Sequence, residues 1–178
     1  MTSMSASINS SLFEAIEIPG DVVLGAHESA IEVCKKGIAG LPAPLDTADT
    51  WIYCRAAWPH SDPDFEGSVF ITLALRADHV YCQVIPDGKH TELGVFKGTL
   101  FVTDPLSLHW LAPNNDDSNP GFIGLQWEVP YLELNAKWEE LTTKLTTLGK
   151  VRPITTPVQD CILSPKAEYV HAPPSPLT

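Results

Sequence analysis

Five stretches between Trp51 and Val129 read as β-strands, and the links between several of them are too short for anything but antiparallel neighbours. They are Trp51 to Trp58, Ser68 to Arg76, His79 to Ile85, Glu92 to Thr103 and Phe122 to Val129. Each is rich in β-branched and aromatic residues and is bounded by turn-forming residues, the composition of a pleated and half-buried surface. Ala77 and Asp78 make one link and Pro86 to Gly88 another, whereas a parallel crossover needs a dozen residues or more. Val69, Ile71, Leu73 and Leu75 share one strand face, as do Ile123, Leu125, Trp127 and Val129. The pattern predicts a meander-like antiparallel sheet of five to six strands. Ser107 to Leu111 reads either as a short strand or as a turn of helix, and Gly94 and Gly98 mark a bulge or bend in the long fourth stretch.

Helices are expected on either side of this run. Pro130 suits a first helical turn, Tyr131, Leu134, Trp138, Leu141, Leu145 and Leu148 recur in steps of three and four, and Gly149 ends the pattern. That stripe is shorter than the sustained repeat of a coiled coil, so it is expected to pack across the sheet. Upstream, Asp21 can cap a helix carrying Val22, Ala26, Ala30, Val33 and Cys34, with Gly37 and Gly40 at its end. The expected fold class is therefore α+β, with a single domain over residues 1–150. Residues 151–178, with Pro153, Pro157, Pro165, Pro173, Pro174 and Pro176, are expected to form an extended Pro-rich tail.

Charge excludes more functions than it suggests. Asp plus Glu total 22 against 11 Lys plus Arg, a net charge of -11. No basic run interrupts this, so neither nucleic acid nor an anionic membrane surface is an expected partner. No apolar stretch approaches a membrane span, and Met1 to Ser11 lack a basic start and apolar block, so a cytoplasmic location is expected. Cys34, Cys54, Cys82 and Cys161 are widely spaced, with no C-x-x-C pair, and read as reduced structural thiols.

The common catalytic motifs are missing. There is no phosphate-cradling G-x-x-x-x-G-K-[ST] loop, no G-x-G-x-x-G turn and no G-x-S-x-G elbow. His27-Glu28 opens like a metalloprotease helix, but Ile31 stands where the second histidine must be. His90-Thr91-Glu92 has the H-x-E start of zinc deaminases without the completing C-x-x-C. His60-Ser61-Asp62 is an H-x-D pair, and with a distant histidine such as His109 it is the ligand set of non-haem iron oxygenases. Such enzymes that use an oxo-acid cosubstrate need a cation to hold it, and no Lys or Arg follows His109 until Lys137.

In a meander, alternate connections lie at the same end of the sheet. That would gather loops 59–67, 86–90 and 112–121 on one rim. The rim would carry Asp62, Asp64, Glu66, Asp87, Asp116 and Asp117 as a partner-binding set, and His60, Asp62, Asp64 and His90 as candidate ligands for a divalent metal. The function expected from this layout is a non-enzymatic acidic interaction module, such as an inhibitor or decoy, that engages a basic protein partner. Two alternatives follow from the same features: a metal-binding protein or metal-dependent enzyme with a His/Asp loop site, and a binder of small apolar ligands between the sheet and the C-terminal helix.

Overall fold

The expected strands form, but they divide between two sheets. The computed structural model describes residues 4–25, 31–86, 88–115, 118–155 and 158–160. Its strands are β1 (Ser5–Asn9), β2 (Glu32–Cys34), β3 (Thr50–Cys54), β4 (Ala57–His60), β5 (Ser68–Arg76) and β6 (Asp78–Val84), then β7 (Lys89–Phe96), β8 (Thr99–Thr103), β9 (His109–Pro113), β10 (Phe122–Pro130), β11 (Lys150–Pro153) and β12 (Val158–Asp160). Two helices accompany them, α1 (Gly20–Gly25) and α2 (Leu134–Leu145).

One sheet has the order β11-β1-β8-β5-β10-β3-β2, and the other β12-β7-β6-β9-β4. Every pairing is antiparallel. From β3 to β10 the chain passes back and forth between the sheets, and within that stretch β6 and β7 alone are both consecutive and hydrogen-bonded. This is the connectivity of a double-sheet jelly roll, not a meander. The apolar run of β5 carries the reason: Val69, Ile71, Leu73 and Leu75 are buried on one face, and Phe70, Thr72 and Ala74 on the other. A strand covered on both sides belongs at the centre of a layered structure.

Corners, rather than hairpins, explain the other departures. Trp51 to Trp58 is two strands, because Arg55 and Ala56 carry the chain from one sheet to the other. His79 holds that corner, donating from Nε2 to the Arg55 carbonyl at 2.8 Å. Glu92 to Thr103 likewise splits into β7 and β8 around Gly98, where φ is +88° and an added Cβ would lie 2.1 Å from the Ile8 carbonyl oxygen. The helix expected from Asp21 is confined to α1 among the described residues, and Glu32–Cys34 instead pairs with β3 as an edge strand. Ser107 to Leu111 resolves into a turn followed by β9.

Among the described residues three apolar clusters result, the smallest of them Val80, Cys82, Trp110 and Ala112 on the smaller sheet. Between the sheets lie Cys54, Ala74, Phe101 and Phe122 from the larger and Tyr81, Leu93, Val95 and Leu111 from the smaller. On the outer face of the larger sheet, Ile71, Leu73, Leu125 and Trp127 meet Leu134, Leu141 and Leu145 of α2 and Val22 of α1. The C-terminal helix thus closes a core, as its stripe predicts. Its first residues, Tyr131–Glu133, are a 3-10 turn, and α2 itself starts at Leu134. After Gly149, β11 pairs with β1 from Ala6↔Pro153 to Asn9↔Lys150. The first residues of the expected tail are therefore part of a sheet, and residues 161–178 lie outside the described residues.

Candidate metal centre

The end of the sandwich where β4 finishes and β9 begins brings three ligating side chains together. His60 and Asp62 are two apart along an extended segment, a spacing that puts both on one face. His60 is the register partner of His109 across β4 and β9, on the side facing the other sheet. Their ring centroids are 4.4 Å apart. The Asp62 backbone N–H donates to the Pro105 carbonyl at 2.7 Å, tying the β4–β5 loop to the loop that leads into β9. Asp62 then precedes a 3-10 turn, Pro63–Phe65, so its side chain is held where the strand ends.

Second hydrogen bonds fix which nitrogen each imidazole offers. His60 Nδ1 lies 2.5 Å from the Trp58 carbonyl oxygen and His109 Nδ1 lies 2.8 Å from that of Ser107. A carbonyl only accepts, so each Nδ1 carries the hydrogen and each neutral ring presents the Nε2 lone pair. Both Nε2 atoms face the Asp62 Oδ2, at 3.7 Å from His60 and 3.6 Å from His109. These separations are too long for hydrogen bonds. They are shorter than twice a typical metal–ligand distance of about 2.1 Å, so one cation can touch both atoms of each pair. All three ligand atoms lie within 4.8 Å of one another. Burial holds the His109 imidazole below its ordinary pKa, with the His60 ring adding to the depression, and that favours the unprotonated form a metal requires.

Behind these three side chains the space between the sheets opens into a hollow of about 270 Å³. Ile52, Ala57, Phe70, Phe101, Leu111 and Phe122 are among the apolar residues of its wall. Tyr81 also lines it, and its hydroxyl donates to Gln83 Oε1 at 2.7 Å. Thr72 and Gln126 face it from the larger sheet, joined by a 3.2 Å hydrogen bond from Thr72 Oγ1 to Gln126 Oε1.

The remaining expected site residues are scattered. Asp64 and Glu66 are exposed on the loop after Asp62. His90 is buried, but it pairs with Val84 in the β6–β7 register, while Gln83 pairs with His109. It therefore lies on the opposite face of the smaller sheet from the triad, where it meets Glu92 at 3.2 Å and the Trp110 ring. Asp87, Asp116 and Asp117 lie outside the described residues. The 112–121 connection leaves the end of β9 remote from His109 and is tied to Asp78, whose backbone carbonyl accepts from Asn119 at 2.7 Å. The expected rim is thus split between two ends, because the strands alternate between sheets. A second hollow, of about 540 Å³, does lie between the larger sheet and the start of the C-terminal helix, bounded by Val69, Val102, Tyr131 and Leu134. Met4, Val84, Ile85 and Pro86 extend its apolar wall, and Gln83, Thr91, Asp104, Ser107 and Asn135 supply polar groups.

The sequence missed Phe70, Thr72, Phe101 and Gln126 as lining residues. A signal existed: the nearly unbroken apolar run Val69 to Leu75 has no solvent face to offer, so its second face had to line something internal. No protein-family model matches this chain, and no curated protein or solved structure matches it either.

Proposed function

We propose that the chain is a mononuclear non-haem metal protein in which His60, Asp62 and His109 hold a divalent cation of the Fe(II) type. The metal would act on a small molecule seated in the hollow beside it. The observation that carries this reading is the convergence of two Nε2 lone pairs and one carboxylate oxygen at distances too long to bond each other. The backbone hydrogen bonds to both Nδ1 atoms support it, since metal-binding histidines almost always donate their other ring N–H to such a partner. Two imidazoles and one carboxylate leave coordination positions open, and that donor set suits non-haem iron and its dioxygen chemistry. The protein's own contributions would be to fix both tautomers, to keep His109 unprotonated, and to shield the open positions with an apolar wall.

An acidic surface for a basic partner has less behind it. Asp62 is turned to two imidazoles, and Asn119 of the connection after β9 is tied to Asp78 at the other end of the molecule, while Asp64 and Glu66 are exposed on the loop beside the triad.

Anaerobic titration of chelator-treated protein with Fe(II), and with Co(II) as a spectroscopic stand-in, tests the proposal. One equivalent should bind, with visible Co(II) bands of a nitrogen and oxygen site. Asp62→Ala and His109→Ala should each lose at least about 100-fold in affinity, since even outer-shell partners of metal ligands cost 10–100-fold. Stoichiometric binding that is indifferent to both substitutions, or no binding at all, would overturn it.

A further inference from the structure

We infer that the hollow behind the His60, Asp62 and His109 cluster takes an uncharged, flat, apolar molecule of one to two rings, and does not take an oxo-acid. The inference deepens the metal reading by naming the ligand class of the same site, and it rests on that reading for the ligand's orientation toward a metal.

The wall sets the chemistry. Phe70, Phe101, Phe122 and Tyr81 supply aromatic surface, and Ile52, Ala57 and Leu111 supply aliphatic surface. Aromatic rings in such a wall favour a flat guest, met edge to face or offset. Among the described residues no Lys or Arg lines the hollow. A guest carboxylate would lose its hydration without gaining a cationic side chain, and it would enter beside the Asp62 carboxylate. A buried charge without a partner is strongly disfavoured. A cation in the triad could attract one carboxylate, but an oxo-acid with a second acidic group needs a second cation, which the wall does not provide.

Polar handles are few and point to a neutral acceptor. The Tyr81 hydroxyl is already committed to Gln83. Gln126 accepts from Thr72 through its amide oxygen, which leaves its NH₂ group to donate to a guest. A hydroxyl, ether or carbonyl oxygen on the ring would satisfy it. Size agrees: the hollow measures about 270 Å³, while an apolar cavity of about 150 Å³ already accommodates benzene.

Calorimetric titration of the full chain with 2-naphthol, 2-naphthoate and 2-oxoglutarate tests this, first on chelator-treated protein and then on Co(II)-loaded protein. The metal-free arm decides, because there the wall alone discriminates. 2-Naphthol should bind at least about tenfold more tightly than 2-naphthoate, and 2-oxoglutarate should show no binding. Ala57→Phe, which fills the hollow, should abolish naphthol binding. Should that variant lose its cooperative melt, the near-isosteric Gln126→Leu, expected to weaken naphthol about fivefold to tenfold, takes its place. Equal or tighter binding of either carboxylate, no naphthol binding, or binding indifferent to the folded variant would overturn the inference. The two proposals fail separately: naphthol binding without Co(II) binding removes the metal reading alone, and Co(II) binding without naphthol binding removes this one.

Discussion

His79 shows how completely a single buried side chain can be specified. It is fully buried, it donates from Nε2 to the Arg55 carbonyl, and its Nδ1 accepts the Asp78 backbone N–H at 3.1 Å. A proton on Nδ1 would face another N–H, so the ring is held neutral, and burial lowers its pKa. His109 shifts in the same direction. For a base whose folded pKa is depressed, the unfolded chain takes up the extra proton as pH falls below the ordinary histidine value of about 6.5. Stability is therefore full above that point and declines below it. The melting temperature should fall steadily from about pH 7 to about pH 5, and His79→Gln should flatten the slope; a pH-independent melt would contradict this. Gly98 is constrained differently. With φ at +88° and the Ile8 carbonyl 2.1 Å from where a Cβ would sit, Gly98→Ala should cost more than about 2 kcal/mol in urea denaturation. Cys54, whose thiol burial pushes up to about 12, should resist alkylation in the native protein. At this scale the sequence is partly legible. His60, Asp62 and His109 can be singled out by residue type and spacing, but the backbone carbonyls that orient both rings depend on how β4 and β9 pair.

Local periodicity specifies the elements more fully than their connections. The strands and the C-terminal helix follow from periodicity, and α2 buries Leu134, Leu141 and Leu145 as its stripe requires. Leu141→Ala should destabilise by about 2 to 5 kcal/mol, while Leu132→Ala, at a residue 94% exposed, should leave the denaturation midpoint within error. What local pattern cannot convey is which sheet a strand joins. The link at Ala77 has the length of a hairpin turn, yet it carries the chain from β5 in one sheet to β6 in the other. Alternation along β10 identifies its apolar face but says nothing of β3 and β5 as its neighbours, because those pairings are decided by contacts distant in sequence. For the same reason β11 reads as the start of a Pro-rich tail. Ending the chain after Gly149 should strip β1 of its outer partner, leaving it paired with β8 alone, and lower the melting temperature by several degrees, with self-association through the bared edge measurable by light scattering.

For the whole molecule, the jelly-roll connectivity is what makes a site out of residues that are unremarkable singly. Neither His60 with Asp62 nor His109 is sufficient alone, and their meeting requires the segments between them to be distributed correctly over both sheets. That is why the charge pattern, which is visible without a fold, points to an acidic rim, whereas the candidate metal cluster lies between the sheets. The split of that rim also follows: loops that are alternate in sequence are not neighbours when strands change layers. There is a mechanical side to the pairing of His60 with His109. The stretch of chain between them contains β5, β6, β7 and β8, drawn from both layers, so an ion bridging the two imidazoles would act as a rivet closing a long loop, the kind of cross-link that constrains an unfolded chain most. Its signature would be temporal: with the ion in place the sandwich should resist transient opening, and the slowest-exchanging amides of β4 and β9 should become slower still.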